Sequence, residues 1–186
     1  MSIKPKKRIG ILTSGGDCAG LNAVIRAAVL HAATLNWEVI GILDGTHGLL
    51  VNPPQVRPLS VNDVDTYVLR QGGTMLGTTN KGDPFAYPMP DGTLKDRSME
   101  IVNAIKHLGL EAIIGIGGDG SLAILRRLMA LGDIPLIGVP KTIDNDLSAT
   151  DYTFGFDTAL NVAMECIDRL HTTAESHHRV IVAEVM

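Results

Sequence analysis

The chain has two cysteines, Cys18 and Cys166, far apart and in no metal-type spacing. That scarcity argues against a disulfide-stapled scaffold or a cysteine-ligated zinc module, and makes free thiols in a reducing compartment the expectation. Aromatic residues make up only 4% of the sequence, which argues against a β-sandwich. No run of eighteen or more apolar residues occurs, and the N-terminus lacks a long apolar stretch, so neither a membrane span nor an export signal is expected. Charge of one sign is lacking too: the formal net charge is -4, and the one basic run, Lys4 to Arg8, is short and terminal. Neither nucleic acid nor a membrane surface is therefore an expected partner, and a cytoplasmic location is.

What the sequence has is glycine and aliphatic residues. With 20 glycines and 45% hydrophobic content over 186 residues, it reads as aliphatic strands and helices punctuated by tight loops. Four segments have the continuous β-branched character of strands buried on both faces: RIGILT (8–13), EVIGIL (38–43), EAIIGIG (111–117) and IPLIGV (134–139). Helical stretches lie between them at 21–35, 97–109 and 121–132, the last two closing on Gly109 and Gly132 as C-caps. Such alternation predicts an α/β fold, a doubly wound parallel sheet with ligands beyond the carboxyl ends of its strands. Residues 45–96 read as loops around one helix, VNDVDTYVLRQ, and a helix at 156–175 is expected before a strand at 180–185. Because that last strand would have no following helix to cover it, the chain is read as a fragment.

Three of the four strands run straight into polar loops: TSGGDCAGLN (13–22), GIGGDGS (115–121) and PKTIDND (140–146). In a doubly wound sheet all three meet on one edge. The first two suit phosphate, because glycines let backbone N–H groups approach an anion and each loop opens a helix with its positive end. GIGGDG also satisfies G-x-G-x-x-G, but the next strand ends Val139, Pro140, Lys141, without the acid a dinucleotide site requires. A Walker A loop fails as well, since Thr78 stands at the lysine position of GGTMLGTT. Asp17, Asp119, Asp144 and Asp146 face the same edge and would repel phosphate unless a divalent metal intervenes; magnesium fits. A kinase also needs a carboxylate to accept the proton of the acceptor hydroxyl, which Asp144 or Asp146 could be.

GILTSGGDCAGLNAVIRAAV, GIGGDGS, PKTIDND and DYTFGFDTAL resemble, in order and spacing, the 6-phosphofructokinase family, over residue 8 to the last. The resemblance implies a donor-nucleotide domain over 1–150 and the truncated beginning of a fructose 6-phosphate domain over 151–186. It implies that Gly16 touches the donor's terminal phosphates. Gly118, Asp119, Gly120 and Ser121 would hold the nucleotide phosphates, with Asp119 the Mg2+ ligand. Asp144 would be the general base, Thr142 and Asp146 would position the substrate and the transferring group, Arg179 would reach a sugar phosphate, and Met186 would begin a further substrate segment. The implied donor is ATP, the acceptor fructose 6-phosphate, the pathway glycolysis and the assembly a homo-oligomer, a tetramer or dimer.

Gly120 is similar to the ATP users of the family, whereas Lys141 is typical of its pyrophosphate enzymes; both determine donor choice, and the absence of a carboxylate at 120 favours ATP. Asn80 stands where many bacterial ATP enzymes have an arginine on the donor phosphates, and Lys81 is the neighbouring cation. Leu30 replaces a second arginine of the bacterial effector site, while Arg26 is present. A pyrophosphate-dependent enzyme is the nearest alternative, and a non-catalytic nucleotide-binding fragment is the alternative of another class.

Overall fold

The computed structural model describes residues 6–185. Its elements are β1 (Arg8–Thr13), α1 (Leu21–Thr34), β2 (Glu38–Ile42), β3 (Val56–Leu59), β4 (Tyr87–Pro88), β5 (Leu94–Lys95), α2 (Ser98–His107), β6 (Ala112–Gly117), α3 (Asp119–Gly132), β7 (Leu136–Thr142), β8 (Phe154–Gly155) and α4 (Phe156–Ser176). One sheet runs in the order β3-β2-β1-β6-β7-β8, and β4 and β5 form a separate two-residue ladder. Its strands pair in parallel except at the β3 edge, which is antiparallel. The expected doubly wound sheet is present, mostly rather than wholly parallel.

The alternation of side chains across the pleat divides the apolar residues between two cores. Ile9, Ile11, Val39 and Ile116 bury against Leu21, Ile25 and Val29 of α1. Leu12, Ile40, Ile42 and Ile113 bury on the opposite face with Ile101 and Ile105 of α2 and Leu125 and Leu128 of α3. Each such side chain contributes about 1.5–3 kcal/mol when fully buried. Helices therefore cover both faces of the β2-β1-β6 centre, fixing where its carboxyl ends emerge.

Several expectations fail for identifiable reasons. Residues 61–71 form no continuous helix but two short 3-10 turns, Val61–Asp63 and Val68–Arg70. Between them Asp65 Oδ1 accepts the backbone N–H groups of Tyr67 and Val68, a side-chain bond that competes with a helical ladder. Gly109, at φ +66, terminates α2 as anticipated. Gly132 does not terminate α3; it is the last helical residue, packed against Val102 and Ile134, and Asp133 takes the left-handed conformation instead. β7 is not buried on both faces, for Ile137 is 63% exposed. Residues 180–185 form no strand: Val180 is 93% and Val182 89% exposed, and no described residue pairs with them. A strand is stabilised by its neighbour, and apolar β-branched composition without one does not produce it.

Candidate functional site

β1, β6 and β7 are parallel neighbours, so the three loops that follow them lie side by side. The backbone N–H of Ser14 donates to Ile116 O at 2.9 Å, and Ser14 Oγ to Ser121 Oγ at 3.1 Å. Thr78 Oγ1 donates to Gly15 O at 2.7 Å, and Gly15 N–H to Thr79 O at 3.0 Å, which ties a fourth segment, residues 78–84, to the same edge. Gly15 sits at φ +87, a conformation that strains any residue with a side chain, and a Cβ there would press on Ser121 Oγ at 3.0 Å.

These contacts enclose a cleft of about 320 Å³ lined by Ser14, Gly15, Thr46, Thr79, Asn80, Lys81, Gly82, Asp83, Pro84, Gly120, Ser121, Ile124 and Leu125. α3 begins at its floor. Gly118 is the N-cap, and Asp119, Gly120 and Ser121 form the first turn, whose N–H groups have no intrahelical acceptor. A helix N-terminus beside Lys81 and two serine hydroxyls is suited to an anion with several oxygens. A Cβ on Gly120 would meet nothing within 4 Å, so a side chain there would project into free space at the cleft. Asp119 is exposed in the same turn.

Beneath the first loop lies Lys141, 5% exposed. Its ammonium donates to Gly16 O at 2.5 Å, and among the described residues it forms no ion pair. A buried cation facing a carbonyl dipole leaves positive potential under the glycine loop. Gly16 itself is exposed and does not line the cleft; Gly15, its predecessor, does.

The third loop leaves β7 at Thr142. Asp144 N–H donates to Thr142 Oγ1 at 3.1 Å, and the Thr142 hydroxyl lies 3.5 Å from Asp144 Oδ2. Asn145, at φ +51, accepts Thr153 N–H at 3.0 Å, while Thr153 Oγ1 donates to Thr142 O at 3.0 Å. The turn is thereby stitched to β8, with the carboxylates of Asp144 and Asp146 left exposed. Cys18 is buried beside it, its thiol donating to Phe154 O at 3.7 Å. Burial pushes that thiol up to about 11, against the opposing pull of Lys141, so it remains protonated and unreactive at neutral pH.

A phosphofructokinase family model matches residues 8–186. The chain belongs to the phosphofructokinase family. It is 63% identical over 180 residues to the ATP-dependent 6-phosphofructokinase 1 of a Nostoc species, covering 97% of this chain and 50% of that protein. It is 49% identical over 180 residues to the pyrophosphate--fructose 6-phosphate 1-phosphotransferase of Amycolatopsis mediterranei, covering 96% of this chain and 49% of that one. Its fold superposes on a solved phosphofructokinase from Saccharomyces cerevisiae with a TM-score of 0.75 at 30% identity, over 92% of this chain and 25% of that one. The chain spans about half the length of the curated relatives it matches.

Within this phosphofructokinase chain the anticipated residues fall into groups. Asn80, Lys81, Gly120 and Ser121 share the cleft wall, Gly118 and Asp119 open the helix at its floor, and Gly16 and Lys141 meet below it. Thr142, Asp144 and Asp146 form the adjoining loop. Arg179 lies apart, exposed after α4, and lines no part of the cleft. Met186 lies outside the described residues. Sequence reasoning missed Thr46, Ile124 and Leu125 as cleft residues; Ile124 and Leu125 carried a signal, lying one turn past Ser121 on α3. No group of three or more His, Cys, Asp or Glu placed to hold a metal occurs among the described residues. Asp119, exposed in the first turn of α3, is a carboxylate of the kind that binds magnesium together with substrate phosphates.

Proposed function

We propose that this chain carries the phosphoryl-donor half and the general base of an ATP-dependent 6-phosphofructokinase, which converts fructose 6-phosphate to fructose 1,6-bisphosphate in glycolysis. The observation that carries the reading is the convergence of three strand-end loops on one edge of the sheet: those after β1 and β6 line the cleft, and the carboxylate-bearing loop after β7 adjoins them where Lys141 meets Gly16.

In this reading the free N–H groups of the first turn of α3, from Gly118 to Ser121, and the glycine loop at Gly15 and Gly16 grip the donor phosphates. Asn80 and Lys81, which line the same cleft, would meet them as well. Asp119 would hold Mg2+, which when bound neutralises charge on the phosphate oxygens. Asp144 accepts the proton of the sugar's 1-hydroxyl as that oxygen bonds to the γ-phosphorus and the bond to the β–γ bridging oxygen breaks, releasing ADP. Thr142 and Asp146 position the acceptor. Alignment and charge neutralisation do most of the work, since no covalent enzyme intermediate is needed. Arg179 and Met186 contribute to the sugar-phosphate site, the domain boundary falls near residue 150, and the enzyme works as a cytoplasmic homo-oligomer.

Lys141, the residue typical of the family's pyrophosphate enzymes, favours a second reading, a pyrophosphate donor, although its cation can serve a donor of either kind. Gly120 supports ATP: its open Cβ direction leaves room at the cleft for the nucleotide's inner phosphate. A coupled assay with each donor tests the choice. Turnover with ATP and none with pyrophosphate is expected, and the reverse overturns it. Binding of ATP by equilibrium dialysis without any turnover favours a nucleotide-binding fragment.

A further inference from the structure

Asn80 and Lys81 reach the cleft from a segment, residues 79–84, that belongs to no helix or strand. Its ends are fixed: Thr79 O accepts Gly15 N–H at 3.0 Å, and Pro84 O accepts Arg97 N–H at 2.7 Å. Between them the chain lies directly on an aromatic ring. Gly82 adopts φ +83, and a Cβ on it would stand 2.7 Å from Tyr87 Cε2 and 3.1 Å from Cδ2.

Tyr87 is held in turn from two sides. The Arg97 guanidinium carbon stands 5.1 Å from its ring centroid, a cation–π contact. That guanidinium is anchored by Nη2 donating to Leu50 O at 2.9 Å and to Glu100 Oε2 at 2.7 Å. At the rim, Tyr87 Oη and His47 Nδ1 are hydrogen-bonded at 2.9 Å. Their ring planes differ by 11° with centroids 6.5 Å apart, a spacing that the hydrogen bond explains as rings placed edge to edge. His47 lies in the turn after β2 that also supplies Thr46 to the cleft.

We propose that Tyr87, braced by His47 and Arg97, is a positioning residue for the donor: it sets the segment 79–84 at the height at which Asn80 and Lys81 meet the phosphates. The inference rests on the donor-cleft reading above. It assigns no chemistry to Tyr87, whose hydroxyl is committed to His47. A loop without ladder bonds samples many conformations, and displacing a phosphate-binding group by about 1 Å is enough to weaken it.

The test compares Tyr87→Ala, Tyr87→Phe, His47→Ala and His47→Gln in the active enzyme, with two readouts. Tyr87→Ala should raise the KM for ATP about tenfold, and Tyr87→Phe and His47→Ala about threefold, each leaving kcat and the KM for fructose 6-phosphate within about twofold. His47→Gln, which retains a hydrogen-bonding group, should restore most of the loss. Tryptic cleavage of the Lys81–Gly82 bond, followed by mass spectrometry, should accelerate in the same order. A merely structural role would lower the melting temperature and kcat without moving the KM for ATP alone. Tyr87→Phe preserves the ring's packing and keeps the test sound if Tyr87→Ala fails to fold. Unchanged KM for ATP and unchanged cleavage in both Tyr87→Phe and His47→Ala overturn the proposal. Faster cleavage in an enzyme whose wild type ignores ATP instead supports the brace and removes the donor reading.

Discussion

The centre of the sheet and its β7-β8 end differ in how their helices are used. Around β1, β2 and β6, each apolar strand residue meets a helix, and Ile11, Ile25, Ile113 and Ile116 are fully enclosed. At β7 and α4 the same kinds of residue stay uncovered: Ile137 is 63% exposed, and Leu160, Met164 and Ile167 of α4 are all about half exposed. α4 runs 21 residues without one buried side chain. Its apolar residues recur at helical spacing, so local pattern makes the helix, while packing, a separate requirement, is not met within the described residues. The cleft belongs to the packed region, and the loop bearing Asp144 marks the border between the two.

The largest effect is expected at that border. Asp144→Ser should lower kcat by about 10²–10⁴-fold while leaving ATP binding nearly intact, because it removes the proton acceptor and no part of the donor cleft. Single-turnover kinetics beside calorimetry with ATP measure both. Unchanged turnover would free Asp144 of its role; lost ATP binding would mean that the border loop is part of the packed region's site.

Next comes the core. Ile113→Ala, inside the sheet between β1 and β7, should cost about 3 kcal/mol in chemical denaturation, the loss of buried methyl groups plus a cavity that close-packed neighbours cannot fill. A cost below about 1 kcal/mol would erase the contrast between the two regions.

Gly120→Asp probes the cleft alone. The new carboxylate would point into free space, so stability should hold, while its charge beside the donor phosphates should weaken ATP about tenfold. Unaltered ATP affinity would remove Gly120 from donor choice.

How much of this was legible in the sequence follows the same division. The strands of the packed region announce themselves because burial on both faces demands continuous aliphatic runs, and RIGILT and EAIIGIG form within one residue of expectation. The glycine loops are legible because a tight strand-to-helix turn with positive φ, such as that at Gly15, has few alternatives in residue type. Failures occur where a single side chain or an absent neighbour decides. Asp65 captures two backbone N–H groups and interrupts 61–71; Asp133 rather than Gly132 caps α3; and the VIVAEV segment has strand composition without a strand to pair with. The brace joins Tyr87 to residues 40 and 10 positions away, His47 and Arg97, beneath the segment that lines the cleft. No spacing rule links them, because the contact is created by tertiary folding.

The smallest effect isolates α4. Ile167 is 46% exposed and contacts no core cluster, so Ile167→Ala in this chain removes surface that water already reaches. Its change in unfolding free energy should stay within about 0.5 kcal/mol, against the several-fold larger loss at Ile113. Denaturation of both variants side by side, at two protein concentrations, gives the reading. If Ile167→Ala instead costs as much as Ile113→Ala, and the cost grows with protein concentration, α4 is buried between copies of the chain in solution and the contrast is one of assembly, not of packing within a subunit.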